Sequence, residues 1–307
     1  MTTAYLSHPD CLKHEMTPMH PECPERVTAI EKALEKAGLL NRLQVHEAPR
    51  ATLAQLHRAH DAAYVKRILE ATPKEGLLAL DPDTSMTLYT VDAALHAAGA
   101  VVHAVDLVIR GNTRSAFCNV RPPGHHAEHN RAMGFCFFNN IAIGAKHALE
   151  AHGIKRAAIL DFDVHHGNGT ADIIRADRRV LFCSSFQHPF YPYSTDASVA
   201  GHLVYSRLPA GTDSANFRAA IVQDWLPELE AFKPELIFIS AGFDAHRDDP
   251  LGDLRLDESD YQWVTEQIVE IAKRHAQGRI VSSLEGGYNL QALGRSAVAH
   301  VRALMNA

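Results

Sequence analysis

Short blocks of apolar, β-branched and aromatic residues recur along the chain, separated by longer stretches in which apolar positions return every three to four residues. Eight blocks read as strands: residues 3–6, 43–47, 115–119, 157–163, 179–184, 203–208, 235–241 and 279–284. Several are continuously apolar, the pattern of parallel strands covered on both faces. The helical period of 3.6 appears over residues 23–36, 90–108, 141–151, 216–232, 258–274 and 289–305. Asp213 or Ser214 is placed to cap the fourth of these and satisfy backbone N–H groups left open by its first turn. Strands alternating with helices predict an α/β fold with a mostly parallel sheet. No repeat, low-complexity tract or linker divides the chain, so residues 1–307 are expected to form a single domain. Ligands in such folds bind at the carboxyl ends of the strands.

Composition narrows the picture. The chain is 46% hydrophobic and 21% charged, as expected of a globular domain with a sizeable core. A formal net charge of −6 argues against nucleic acid as a partner, because a phosphate-binding face needs an excess of Lys and Arg. No apolar run is read as approaching the roughly 18–20 residues of a membrane span, and no signal segment is visible, so no membrane partner and a cytoplasmic location are expected. Five cysteines (Cys11, Cys23, Cys118, Cys136 and Cys183) without a C-x-x-C pair read as reduced thiols. Histidine is the anomaly, with 20 copies. Most are expected on the surface, and the question is whether a few cluster with acids.

Four loops after strand-like blocks are loaded with reactive side chains. They contain Arg121-Pro122-Pro123-Gly124-His125-His126-Ala127-Glu128, Asp161-Phe162-Asp163-Val164-His165-His166-Gly167-Asn168, Gly242-Phe243-Asp244-Ala245-His246, and Glu285-Gly286-Gly287-Tyr288. An Asp after a strand is often only a turn former, and paired histidines are often surface residues. The string D-x-D-x-H at the end of an apolar strand is harder to read that way. Two carboxylates and an imidazole make a three-ligand set with one position open, as expected of a catalytic zinc.

Together these segments resemble the histone deacetylase superfamily, most closely its class II branch, with bacterial histone-deacetylase-like amidohydrolases and acetylpolyamine amidohydrolases among its members. The resemblance runs from Met19-His20-Pro21-Glu22-Cys23-Pro24-Glu25-Arg26 to Tyr288 and includes Gly134-Phe135-Cys136-Phe137-Phe138-Asn139-Asn140. It implies a single arginase/deacetylase-like α/β domain around an eight-stranded, mostly parallel sheet flanked by helices, in agreement with the eight strand-like blocks, and one zinc ion on Asp163, His165 and Asp244. It makes His125 and His126 the tandem histidines beside a zinc-bound water, with His126 the general base, and Tyr288 the hydrogen-bond donor to the substrate carbonyl. Asp161 would orient His125 and help hold a structural potassium ion. Asn168 stands where class I members carry a second acid, and would fix the tautomer of His126. Gly134, Phe135, Tyr191 and Leu251 would line an acyl-lysine tunnel, and Arg26 an internal channel.

The implied activity is hydrolysis of the amide of an acylated lysine or a related acylamine, with a homo-oligomer possible. The alternative is an acetylpolyamine amidohydrolase. Polyamine-selective relatives carry an acid seven residues after the last ligand aspartate, where this chain has Leu251, and an apolar rim offers a distant ammonium nothing. Asp248, Asp249 and Asp253 flank that position and keep the alternative open. A non-catalytic acyl-binding module is the third reading, and the presence of Tyr288 argues against it.

Overall fold

The computed structural model describes residues 2–307. All eight apolar blocks become strands: β1 (Thr3–Ser7), β2 (Gln44–Glu47), β5 (Ser115–Cys118), β6 (Ala157–Asp161), β7 (Val180–Gln187), β8 (Leu203–Leu208), β9 (Leu236–Ala241) and β10 (Ile280–Leu284). They pair in parallel in the order β2-β1-β5-β10-β9-β6-β7-β8. A separate antiparallel hairpin, β3 (Leu78–Ala79) and β4 (Ser85–Met86), lies outside this sheet.

The continuous apolar runs are explained by two cores, one on each face. In a strand, successive side chains point to opposite faces. Thus Ala158, Leu160, Ile237 and Ile239 face one core, while Ala157, Ile159, Leu236 and Phe238 face the other. The first core is closed by helices α1 (Glu25–Lys36), α7 (Ser214–Ala220), α8 (Leu226–Phe232), α9 (Glu258–His275) and α10 (Leu290–Leu304). The second is closed by α4 (Thr90–Ile109), α5 (Asn140–Ala151) and α6 (Asn168–Ile174). Short helices α2 (Leu53–Leu56) and α3 (Ala62–Glu70) form a third cluster with Phe137 and Phe138. Asp213 is the cap of α7, accepting from the Asn216 N–H at 3.0 Å.

Two expectations need correction. Helix α4 has the length and composition to cross a membrane, which the search for apolar runs did not register because Asp92, His96, His103 and Asp106 interrupt it. In the fold, 72% of that window is buried. The histidines are not mainly on the surface either. Ten of the 20 are buried, and only His57 and His129 are exposed, the rest being partly buried.

Candidate active site

The four motif loops leave β5, β10, β9 and β6, which are neighbours in the middle of the sheet. Residues far apart in sequence therefore meet at one carboxyl edge. Asp163 and Asp244 are fully buried, and His165 keeps 11% of its side chain exposed. His165 Nδ1 lies 3.1 Å from Asp163 Oδ1 and 3.2 Å from Asp244 Oδ2. One ligand atom from each residue falls within 4.8 Å of the others. Backbone amides aim the carboxylates: Gly286 N–H donates to Asp163 Oδ2, and Val164 N–H to Asp244 Oδ1, both at 2.8 Å. Glycine is required at 286, because a Cβ there would overlap Asp244 Oδ2.

This set fits a divalent cation by its own chemistry. Asp244 Oδ2 is buried without a hydrogen-bond partner, which is costly for a carboxylate that no cation balances. Burial and the Asp163 charge push the Asp244 pKa up to about 7. Burial opposes a charge on His165, but its hydrogen bond to Asp163 and the Asp244 carboxylate beside it outweigh that and lift its pKa to about 9. Two buried acids are thus competing for positive charge. Two other His/Asp groups lack this logic. The His8 and His96 rings stack with centroids 3.4 Å apart and planes 4° apart, so their in-plane lone pairs cannot share an ion with Asp10. Beside Asp106, His147 and His152, the guanidiniums of Arg58 and Arg110 already supply positive charge.

The tandem histidines sit next to the set with opposite biases. His125 Nδ1–H donates to Asp161 Oδ2 at 2.9 Å. Burial disfavours its charge, yet the Asp163 and Asp161 carboxylates win and hold its pKa well above the ordinary imidazole value. His126 Nδ1–H donates to the neutral Asn168 Oδ1 at 2.7 Å. Burial, followed by His125 and His165, holds its pKa well below the ordinary value. One ring is therefore kept charged and the other neutral, the separation expected of an acid–base pair.

A cavity of about 360 Å³ opens over these residues, lined by His126, His165, Gly134, Phe135, Tyr191, Leu251 and Tyr288 among others. All the expected tunnel residues meet there. Tyr191 meets His126 edge to face, with ring centroids 5.3 Å apart, and Phe135 meets Tyr288 likewise at 6.0 Å. Arg26 is buried behind Tyr288, its guanidinium 4.9 Å from the ring centre, and donates to Gly287 O at 2.7 Å.

Several residues have roles that the sequence reading did not assign. Phe190 stacks on His165 with centroids 5.4 Å apart and lines the same cavity as its neighbour Tyr191. Asp83, in the turn of the β3–β4 hairpin, accepts from Gly134 N–H at 3.1 Å, and Thr84 Oγ1 accepts from Phe135 N–H at 3.0 Å. These bonds hold Phe135 at φ 68°, a left-handed conformation rare for an aromatic residue. Asp249 Oδ2 accepts from the Tyr288 N–H at 2.6 Å, while Oδ1 accepts from Leu251 N–H at 3.0 Å, joining two walls. Glu285 Oε2 accepts from Gly124 N–H and His125 N–H. Only the four-glycine-and-acid loops were visible as signals. The acids at 83 and 249 have no pattern of their own in the chain.

Fold and site together define an α/β domain with a buried Asp/His cluster opening on a cavity at the carboxyl edge of its sheet. The comparisons agree: a histone deacetylase domain matches residues 20–304. A histone deacetylase-like amidohydrolase of Pseudomonas aeruginosa is 38% identical, covering 88% of this chain and 73% of its own length. A type-2 histone deacetylase 2 of Dictyostelium discoideum is 34% identical over 99% of this chain, which spans 21% of that protein. The crystal structure of the HDA15 HD domain superposes with a TM-score of 0.92 and 33% identity, covering 99% of this chain and 88% of its own. The chain belongs to the histone deacetylase family.

Proposed function

We propose that this chain, residues 1–307 acting as one catalytic domain, is a zinc-dependent deacetylase that hydrolyses the amide of an acylated lysine side chain. The observation that carries the reading is the meeting of Asp163, His165 and Asp244 at a cavity whose other walls include His126 and Tyr288. When bound by those three residues, zinc would supply Lewis-acid polarisation of the scissile carbonyl and make water more acidic. His126, neutral and with Nε2 open to the cavity it lines, takes the proton from the attacking water and returns it to the departing amine nitrogen. The protonated His125 adds electrostatic support, and the Tyr288 hydroxyl donates to the carbonyl oxygen as charge develops there. Asp161 spends one carboxylate oxygen on His125 and the other on the Asp163 N–H, and a potassium ion beside it would balance a fully buried acid.

Phe135, Phe190 and Tyr191 give the cavity the aromatic lining that suits an extended alkyl chain. The acetylpolyamine reading has support of its own. Asp83 and Asp253 line the cavity, and among the described residues no lysine or arginine does. Leu251 lies at the same cavity and favours the peptide substrate.

Turnover of an acetyl-lysine peptide and of N-acetylputrescine by the zinc-loaded protein, before and after chelation, tests the proposal. Hydrolysis of the peptide that disappears with the metal and returns on adding zinc is expected, together with a higher kcat/KM for the peptide. Activity that survives complete metal removal would end the zinc reading. A preference for N-acetylputrescine would make the polyamine substrate the leading one.

A further inference from the structure

His126 is held through an amide, and an amide has two different ends of nearly the same shape. If Asn168 presents Oδ1, His126 Nδ1 must carry the proton and Nε2 remains a lone pair at the cavity. If it presents Nδ2, His126 Nδ1 must accept, the proton moves to Nε2, and the ring no longer offers a base. Packing alone discriminates poorly between these orientations, so hydrogen-bond partners must choose.

Here the choice is made on the far side of Asn168. Its Oδ1 accepts from His126 Nδ1–H at 2.7 Å, while Nδ2 donates to Glu128 Oε1 at 2.8 Å and lies 3.3 Å from Met133 Sδ. An ionised carboxylate only accepts. A flipped Asn168 would set its carbonyl oxygen against the Glu128 carboxylate with no proton between them. Glu128 itself is pinned: its N–H donates to Arg131 O at 2.9 Å, and its carbonyl accepts from His60 Nδ1–H at 3.0 Å. His60 is fixed in turn, its Nε2 accepting from Asn139 N–H at 2.9 Å.

We propose that Glu128 is a positioning residue of the active site: it fixes the orientation of the Asn168 amide and, through it, the tautomer that leaves His126 Nε2 basic. The proposal rests on the reading of His126 as the general base. It accounts for the use of an amide, not an acid, beside His126. The amide keeps negative charge off the base, and a carboxylate one hydrogen bond further out removes the ambiguity the amide introduces.

The test uses zinc-loaded protein in two backgrounds. Glu128→Ala is expected to lower kcat on the acetyl-lysine peptide about 10–100-fold, with KM changed by no more than about twofold. Glu128→Gln, whose amide can present either its carbonyl or its N–H end to Asn168, should recover only part of the loss. In an Asn168→Asp background the further cost of Glu128→Ala should largely vanish, because a carboxylate at 168 has no donor end to misplace. A merely structural role for Glu128 would cost the same in both backgrounds. Imidazole ¹⁵N resonances of His126, identified with His126→Ala, report the tautomer without turnover. They should show the Nδ1–H form in wild type and a mixture in Glu128→Ala. Wild-type kcat with a single tautomer in Glu128→Ala, or an equal loss in both backgrounds with an unchanged tautomer, overturns the proposal. If His126→Ala stays active, the general-base reading falls first and takes the proposal with it. If His126→Ala is dead and Glu128→Ala is indifferent, only the role of Glu128 falls.

Discussion

Tyr288 has a single hydroxyl to contribute, and its position depends on residues other than itself. Its N–H is tied to Asp249, its ring lies over Arg26 and against Phe135, and burial pushes its pKa well above the ordinary phenol value, opposed by the Arg26 charge. It therefore stays protonated, as a donor must. Tyr288→Phe removes that donor and leaves the ring contacts in place. The expected outcome is a fall in kcat of roughly 10²–10³-fold, with zinc content and acetohydroxamate affinity near wild type. A variant that turns over at the wild-type rate would remove Tyr288 from the chemistry. At this scale the reactive residues were legible in the sequence, because D-x-D-x-H, paired histidines and Gly-Gly-Tyr are local strings. Asp83, Glu128, Asp249 and Phe190 were not, because each acts on a partner brought from elsewhere in the chain or carries no distinguishing pattern.

Helix α4 shows how an element can be constrained by what it passes. At Gly99 it runs so close to the 48–51 segment that a Cβ would overlap the Pro49 carbonyl oxygen. Flanking hydrogen bonds lock this approach: His96 Nδ1–H donates to Ala48 O at 2.7 Å, and Ala51 N–H to Leu95 O at 2.9 Å. Helix propensity by itself favours Ala over Gly by about 1 kcal/mol. Displacing a hydrogen-bonded backbone segment costs typically 1–3 kcal/mol, so the overlap wins. Gly99→Ala should thus lower the stability measured by urea unfolding, and an increase would show that the segment yields freely. The periodic reading located the six long helices to within a few residues. It did not resolve the π turn at Ile221–Trp225, where the stretch read as one helix divides into α7 and α8 around the fully buried Trp225. Nor did it find α2 or the β3–β4 hairpin, which are too short for a periodic signal, or α3, whose nine residues do bury one face through Tyr64, Val65 and Ile68. The hairpin turn is shaped by Asp81 Oδ1, which accepts from the N–H groups of Asp83 and Thr84.

Across the whole molecule, the histidine excess has a thermodynamic consequence. Burial lowers the pKa of His14, His166 and His300 to about 3 each and that of His60 to about 4. His300 shows why: it is fully buried, and Thr265 Oγ1 at 2.7 Å from Nδ1 and Ser282 Oγ at 2.8 Å from Nε2 are neutral hydroxyls that bring no charge to balance a protonated ring. The folded pKa of each lies below the unfolded value of about 6.5. Below that pH the unfolded chain binds protons that the folded one refuses. Stability from these groups is complete above pH 6.5 and is lost as pH falls, by up to ~1.4 kcal/mol per histidine per pH unit. His125, whose pKa is raised, acts in a different window, adding stability as pH falls towards 6.5, and below that pH Glu285, pushed up to about 7 by burial, opposes the four histidines. The Tm of the zinc-loaded protein should fall steeply between about pH 6 and 5. His300→Gln should make that fall shallower. A Tm unchanged between pH 7 and 5 would contradict the assignment.

The sequence by itself determined the class of fold and most of the reacting groups, because both are written in local order: apolar runs of strand length, helical periods, and ligand strings at the strand ends. It could not say which strands are neighbours. The tertiary structure decided that β5, β10, β9 and β6 lie side by side, and this adjacency is what turns four separate loops into one cavity. It also decided which polar groups support the site. A half-buried carboxylate such as Glu128 or a buried one such as Asp249 is held in place only if donors from other segments reach it, and those donors exist at that position only once the sheet has brought the segments together.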